Sequence, residues 1–171
     1  MQPTFKTDRL TVTRRRLADT DACLAMDLEP DVLRYLGGPV GDALAQRRRI
    51  EARTRGPYPP GLGYWSLRQG DATGPFAGWI LLIPVDGVGP EIEIGWRLPT
   101  AVWGRGYATE AAGAVLRHVF ETVGLDEIIA EIDAANTASI RVAEKLGLRW
   151  MGERFNEGLI WQRFSARAPE A

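Results

Sequence analysis

Apolar and polar residues alternate through "RLTVTRRRL", with Leu10, Val12 and Arg14 two apart, the period of a strand with one buried face. The pattern then changes. In "DTDACLAMDLEPDVLRYLG" the residues Ala22, Cys23, Met26, Leu33 and Leu36 follow helical spacing, and Pro30 divides the stretch into a first helix and a short second one ending near Gly37-Gly38. "PVGDALAQRRRIEARTRG" predicts another helix, closed by Gly56-Pro57, and "PYPPGLG" a loop. "YWSLRQ" and "FAGWILLIPV" predict a strand pair around the turn "GDATG", and "EIEIGWRL" a further strand after "GVGP". Ala108, Ala111, Ala112, Val115, Leu116, Val119 and Val123 then mark a long helix that Gly124 stops. A strand "DEIIAEID", a helix "NTASIRVAEKLG" with Gly147 in the usual C-terminal place, and a last strand pair around "NEG" complete the pattern.

This order predicts an α/β fold with one mixed sheet of about six to seven strands and about four flanking helices. The passage from "EIEIGWRL" through the long helix to "DEIIAEID" should be a right-handed parallel crossover. At 171 residues the chain suits one domain, 1–171, large enough to bury a core. The single Cys23 excludes an internal disulfide, and its apolar pattern makes it a core residue. No run reaches a membrane span, no h-region opens the chain and no metal-ligating cluster is evident, so the expected setting is the cytoplasm. A formal net charge of −1 argues against bulk nucleic-acid binding. Two basic clusters, Arg14–Arg16 and Arg47–Arg49, read as solvated faces or as a local site for an anionic ligand or RNA.

The stretch "VWGRGYATEA", Val102 to Ala111, carries the chemistry. Its two glycines stand where a strand gives way to a helix. Backbone N–H groups there lack internal partners, and the helix dipole is positive. Gly104, Arg105, Gly106, Tyr107, Ala108 and Thr109 therefore form a candidate phosphate cradle, or only a tight strand-to-helix turn. A P-loop needs Lys-Ser/Thr after its second glycine, and a dinucleotide fold needs a third glycine where Thr109 stands; neither pattern fits.

With its neighbours, the stretch resembles the GNAT superfamily of acyl-CoA-dependent N-acetyltransferases, in particular the ribosomal-protein N-terminal acetyltransferase (Rim-type) branch. The likeness rests on "EIEIGWRLPTAVWGRGYATEA", "DAANTASIRVAEKLGLR" and "TDRLTVTRRRLADTDA". It implies a cofactor half at about 91–147 and acetyl-CoA as cosubstrate, with its pyrophosphate on the amides of 104–109. It also implies that a bulge splays the "GWRL" strand from the next, so that Trp96, Arg97 and Leu98 present backbone groups to the pantetheine arm. Asn136 would contact that arm. The tyrosine donor of many members is absent, since Ala143 stands there; Ser139 matches the serine given the task in the Rim-type branch. Asn136 and Ser139 are equally good helix-capping types.

The attacking amine must be neutral, which calls for a base. Glu93 and Glu91 share a strand face and are the first candidates; Glu157, in the last turn, is a weaker one. Glu110 reads as a dipole-stabilising residue, His118 as a surface residue, and Trp65, Trp79, Trp150 and Trp161 as core or edge packing. Tyr35 and Trp96 are candidate acceptor-lining residues. The expected reaction is direct acetyl transfer to a primary amine, either a peptide N-terminus or a small molecule. A non-catalytic acyl-CoA-binding sensor or subunit is the alternative, and a homodimer is possible.

Overall fold

The structure, a computed structural model, describes residues 2–35, 41–156 and 158–169. Within them one sheet holds eight strands: β1 (Phe5–Lys6), β2 (Leu10–Arg14), β3 (Gly63–Gln69), β4 (Phe76–Pro84), β5 (Ile92–Arg97), β6 (Glu127–Asp133), β7 (Arg149–Asn156) and β8 (Leu159–Arg167). Their spatial order is β1-β2-β3-β4-β5-β6-β8-β7. The α-helices are α1 (Thr20–Asp27), α2 (Pro30–Leu33), α3 (Ala43–Arg55), α4 (Tyr107–His118) and α5 (Thr137–Lys145). Neighbouring strands run antiparallel except β5 and β6, which are parallel across the α4 crossover. The mixed sheet matches expectation, and the strand count is higher. β1, two residues long, is too short to show alternation. The expected end of the second helix, near Gly37-Gly38, lies outside the described residues.

Period-two alternation sorts the core into two layers. Ile80, Leu82, Ile94, Ile128 and Ala130 pack with Ala111, Ala112 and Val115 of α4 and with Val119 just beyond it. On the opposite face Tyr64 and Trp79 pack with Cys23, Met26 and Ile50 from α1 and α3. The β4–β5 register sets Trp79 against Arg97, Leu81 against Gly95 and Ile83 against Glu93. Glu93, Gly95 and Arg97 thus lie on the α1/α3 face, and Ile94 and Trp96 on the α4 face.

Two assignments are corrected. His118 is buried: its ring packs 5.5 Å from Phe5, and its Nε2 lies 3.1 Å from the Gly61 carbonyl. The short strand and the loop at 61 cover what reads as a polar helix face. Arg15, inside the first basic cluster, is buried and stacks 3.8 Å above the Tyr64 ring rather than facing solvent. Cys23 is buried as expected, and burial pushes its thiol up to about 12, which removes it as a nucleophile at neutral pH.

A carboxylate fixes the start of α4. Glu110 accepts from Thr7 Oγ1 at 2.5 Å, from the Arg9 backbone N–H at 2.8 Å and from Arg9 Nε at 2.7 Å. Those bonds hold Glu110 below the usual carboxylate range against the opposing effect of its partial burial. A carboxylate with a depressed pKa stabilises the fold above its ordinary value, and that contribution is lost as pH falls through the folded value. Glu110→Ala should therefore cost about 2 kcal/mol at pH 7. In denaturant titrations across the acid range the deficit should shrink as Glu110 becomes protonated; a deficit unchanged with pH contradicts the clamp.

Candidate active site

Both glycines of the α4 approach occupy the left-handed region, Gly104 at φ +73° and Gly106 at φ +77°. This answers why glycine stands at each: a side chain would strain the backbone. A Cβ at Gly104 would meet nothing within 4 Å, so the loop surface is open there. Two side chains hold the loop in place. Trp103 Nε1 donates to the Leu98 carbonyl at 2.7 Å, and Arg9 Nη1 donates to the Arg105 carbonyl at 2.7 Å. Among the described residues, none of the backbone N–H groups of 104–109 has a protein acceptor; the first intrahelical bond runs from Glu110 N–H to the Gly106 carbonyl. The segment is a tight turn and also a set of unconsumed donors at a positive helix end, fit to receive an anion.

Beside it the sheet opens. β5 and β6 share one paired position, Glu93 with Ile129, and no further pairing joins them toward Arg97. The expected splay is present without the expected bulge, because the β4–β5 ladder runs in register from Ile92 to Arg97. At the opening, Trp96 Nε1 donates to Ser139 Oγ at 3.2 Å. Asn136 caps α5, its Oδ1 accepting from Ser139 N–H at 3.1 Å. Trp96 therefore sits with α5, on the face opposite Glu93, rather than in a cleft with it. Leu98 is buried and its carbonyl is taken by Trp103, while Arg97 turns its guanidinium to Asp27 at 2.8 Å.

On the α1/α3 face Glu93, Glu131, Arg154, Asn156 and Trp161 line a cleft of about 210 Å³. Burial, then the neighbouring Glu131 carboxylate, pushes Glu93 up to about 7, with a Glu131 backbone N–H opposing the shift. Glu131 is held in turn by Arg154 at 2.7 Å and Arg163 at 3.5 Å. Glu91 is paired with Arg163, which leaves Glu93 the poised carboxylate of the two. Glu157 lies outside the described residues. Tyr35 is partly buried and lines no part of this cleft. Trp161 lines the cleft, Trp65 and Trp79 are core residues, and Trp150 is an exposed edge residue. Sequence reading missed Arg9 and Glu131. The "DRL" turn carried no periodic signal, whereas the same-face spacing of Glu127, Glu131 and Asp133 on "EIIAEID" could have raised Glu131.

Residues 9–149 match the family of the acetyltransferase (GNAT) domain. The chain belongs to the GNAT acetyltransferases. It is 32% identical over 165 residues to the FsC-acetyl coenzyme A-N(2)-transacetylase of Aspergillus fumigatus, covering 91% of this chain and 69% of that protein. It is 33% identical over 148 residues to the uncharacterized protein YkkB of Bacillus subtilis, 84% of each chain. The crystal structure of an acetyltransferase from Agrobacterium tumefaciens superposes with a TM-score of 0.75 at 29% identity, over 95% of this chain and 94% of that one. This GNAT protein is accordingly an acetyl-CoA-dependent N-acetyltransferase, with acetyl-CoA as cosubstrate. No helix among the described residues is long and apolar enough to cross a membrane.

The buried acid of this acetyltransferase has a stability signature. Glu93 in the folded state holds its proton up to about 7, whereas the unfolded chain releases it near the ordinary value of 4.5. Between those values the folded state binds more protons, so Glu93 lowers stability as pH rises through that window. Glu93→Gln should gain melting temperature relative to the parent between pH 5 and pH 8. Parallel melting curves across that range would contradict the burial.

Proposed function

We propose that the α4 tip holds the diphosphate of acetyl-CoA, and that Glu93 and Ser139 manage the protons of acetyl transfer to a primary amine. One observation carries the reading: the backbone N–H groups of Gly104, Arg105, Gly106, Tyr107, Ala108 and Thr109 lack protein acceptors where the strands part. When bound, acetyl-CoA supplies an acetyl group activated as a thioester. Backbone groups of Trp96 and Arg97, on the side of β5 that has left β6, serve the arm as a strand neighbour would. Leu98 adds its buried side chain to the wall, and Asn136 orders the start of α5.

Glu93 takes the proton that the amine loses as its nitrogen bonds to the acyl carbon, directly or through one water. Its pKa near 7 suits that task, being basic enough to accept and ionised at slightly alkaline pH. Ser139 serves the departing sulfur. An indole N–H only donates, so the Trp96 bond occupies a lone pair of Ser139 Oγ and leaves its hydrogen free to reach the sulfur. The carbon–sulfur bond breaks as the carbon–nitrogen bond forms, and the thiolate is protonated through Ser139. The acceptor is a peptide N-terminus or a small amine. Trp103 and Ser139, shared with the Rim-type branch, favour that branch.

Two experiments test this reading. Gly106→Glu places a carboxylate among the donors and should abolish acetyl-CoA binding in calorimetry. Gly106→Ala, with the same backbone strain but no charge, should retain more of it; equal binding by Gly106→Glu and the parent would remove the cradle. In thiol-release assays, kcat/KM taken on the neutral amine should rise with pH to a plateau above about 7. Glu93→Gln should lose roughly 100- to 10,000-fold in rate. It should also lose the acidic limb, and a variant that keeps limb and rate shows that Glu93 is not the base.

A further inference from the structure

The two basic clusters, distant in sequence, meet in space. Arg15, at the end of β2, and Arg49, on α3, line one small hollow with Arg53, Arg97, Tyr64 and Asp27. It lies on the α1/α3 face, the face that carries Glu93. Its charges do not balance. Asp27 is already satisfied, by Arg97 Nη1 at 2.8 Å and by Gln46 Nε2 at 2.6 Å. Arg15 is 4% exposed and has no carboxylate partner among the described residues: Nε donates to Thr54 Oγ1 at 2.9 Å and Nη2 to the Ile50 carbonyl at 3.4 Å. Its Nη1 has no acceptor among the described residues. Tyr64, 3% exposed, has a buried hydroxyl without a hydrogen-bond partner among the described residues. The hollow thus sets a surplus of guanidinium charge beside a buried hydroxyl without a partner, which is unfavourable, and one anionic oxygen would answer both.

We infer that this hollow receives the carboxylate of the acceptor, and that the acceptor is a small amine carrying a carboxylate on an aliphatic spacer. The inference rests on the acetyl-transfer reading above and narrows it. One oxygen of a carboxylate suits the room in the hollow, about 10 Å³, where the Tyr64 hydroxyl can donate to it beside the Arg15 charge. The route is set by β5. Glu93, Gly95 and Arg97 share its face, so Arg97 stands about 7 Å from Gly95, two residues along the strand. A Cβ built on Gly95 would come within 3.2–3.4 Å of the Leu81 side chain, so Leu81 lies over that glycine as an apolar floor. An amine at the strand opening and a carboxylate at Arg15 would span that floor. Polyamines would bring cations to a wall of arginines.

The test is a matched panel in the thiol-release assay: ω-amino acids from β-alanine to 6-aminohexanoate, with lysine and ornithine, each against its carboxamide, and spermidine as the cationic control. Carboxylates should exceed their carboxamides by about tenfold or more in kcat/KM. Amine basicity works the other way in the short members, where the carboxamide holds more neutral amine. Arg53 is exposed, so Arg53→Glu should fold and keep its acetyl-CoA affinity in calorimetry while raising KM for the carboxylates and erasing the preference. Arg15→Gln should erase it also, with thermal unfolding as the folding control. Matched pairs reacting alike, spermidine as the best acceptor, or a preference that survives both variants would each overturn the inference while leaving acetyl transfer standing. No transfer to any amine of the panel would also overturn the inference, and thiol release with a peptide N-terminus as acceptor would then decide the catalytic reading separately.

Discussion

Everything at the site depends on main-chain groups that the fold leaves without partners. A protein normally pairs its backbone donors and acceptors, because an orphan away from water is unfavourable. Here two adjoining stretches stand open: the N–H groups from Gly104 to Thr109, and the side of β5 that has left β6 beyond Glu93. The first stays open because Gly104 and Gly106 take left-handed conformations and turn the chain abruptly into α4. The second stays open because the strands are joined at one paired position only. The Glu110 clamp to Thr7 and Arg9 holds the start of the helix to the β1–β2 turn, so the donors keep a fixed aim.

A single strand positions the groups proposed for both sides of the chemistry. Period-two alternation sends Trp96 to the α4 face, where it meets Ser139, and Glu93 to the α1/α3 face, where it meets Glu131. The two groups proposed to handle protons are therefore separated by the sheet itself. A thioester held along the edge of β5 would have the leaving-group side near Ser139 and the acceptor side near Glu93. Electrostatics grade along the acceptor side as well. The acidic pair Glu93 and Glu131 lies toward the start of β5, and the arginines lie toward its end.

The buried polar groups of the α1/α3 face divide into satisfied and unsatisfied sets. Asp19 accepts from Ser66 and Arg68, and Asp27 from Gln46 and Arg97, as structural ion pairs and hydrogen bonds require. The buried Tyr64 hydroxyl, without a partner among the described residues, breaks that pattern beside an Arg15 that has no carboxylate there. Such breaks concentrate where a ligand completes the structure.

Alternation and helical spacing determined most elements, because a buried face imposes its period on the sequence whatever lies across from it. The Gly-Arg-Gly turn was likewise legible, since left-handed backbone demands glycine. Glu93 was legible as a candidate by type and place; its raised pKa was not, for that comes from burial and from Glu131 on another strand. Only tertiary structure decided that Trp96 reaches Ser139, that His118 is covered by β1 and the loop at 61, and that Arg9 braces the α4 tip. The same holds for the basic clusters, which are separate along the chain and share one hollow in space. Periodicity reports which side of an element is buried. It does not report which neighbour buries it, and the charge, hydrogen bonding and proton affinity of a site are properties of that neighbour.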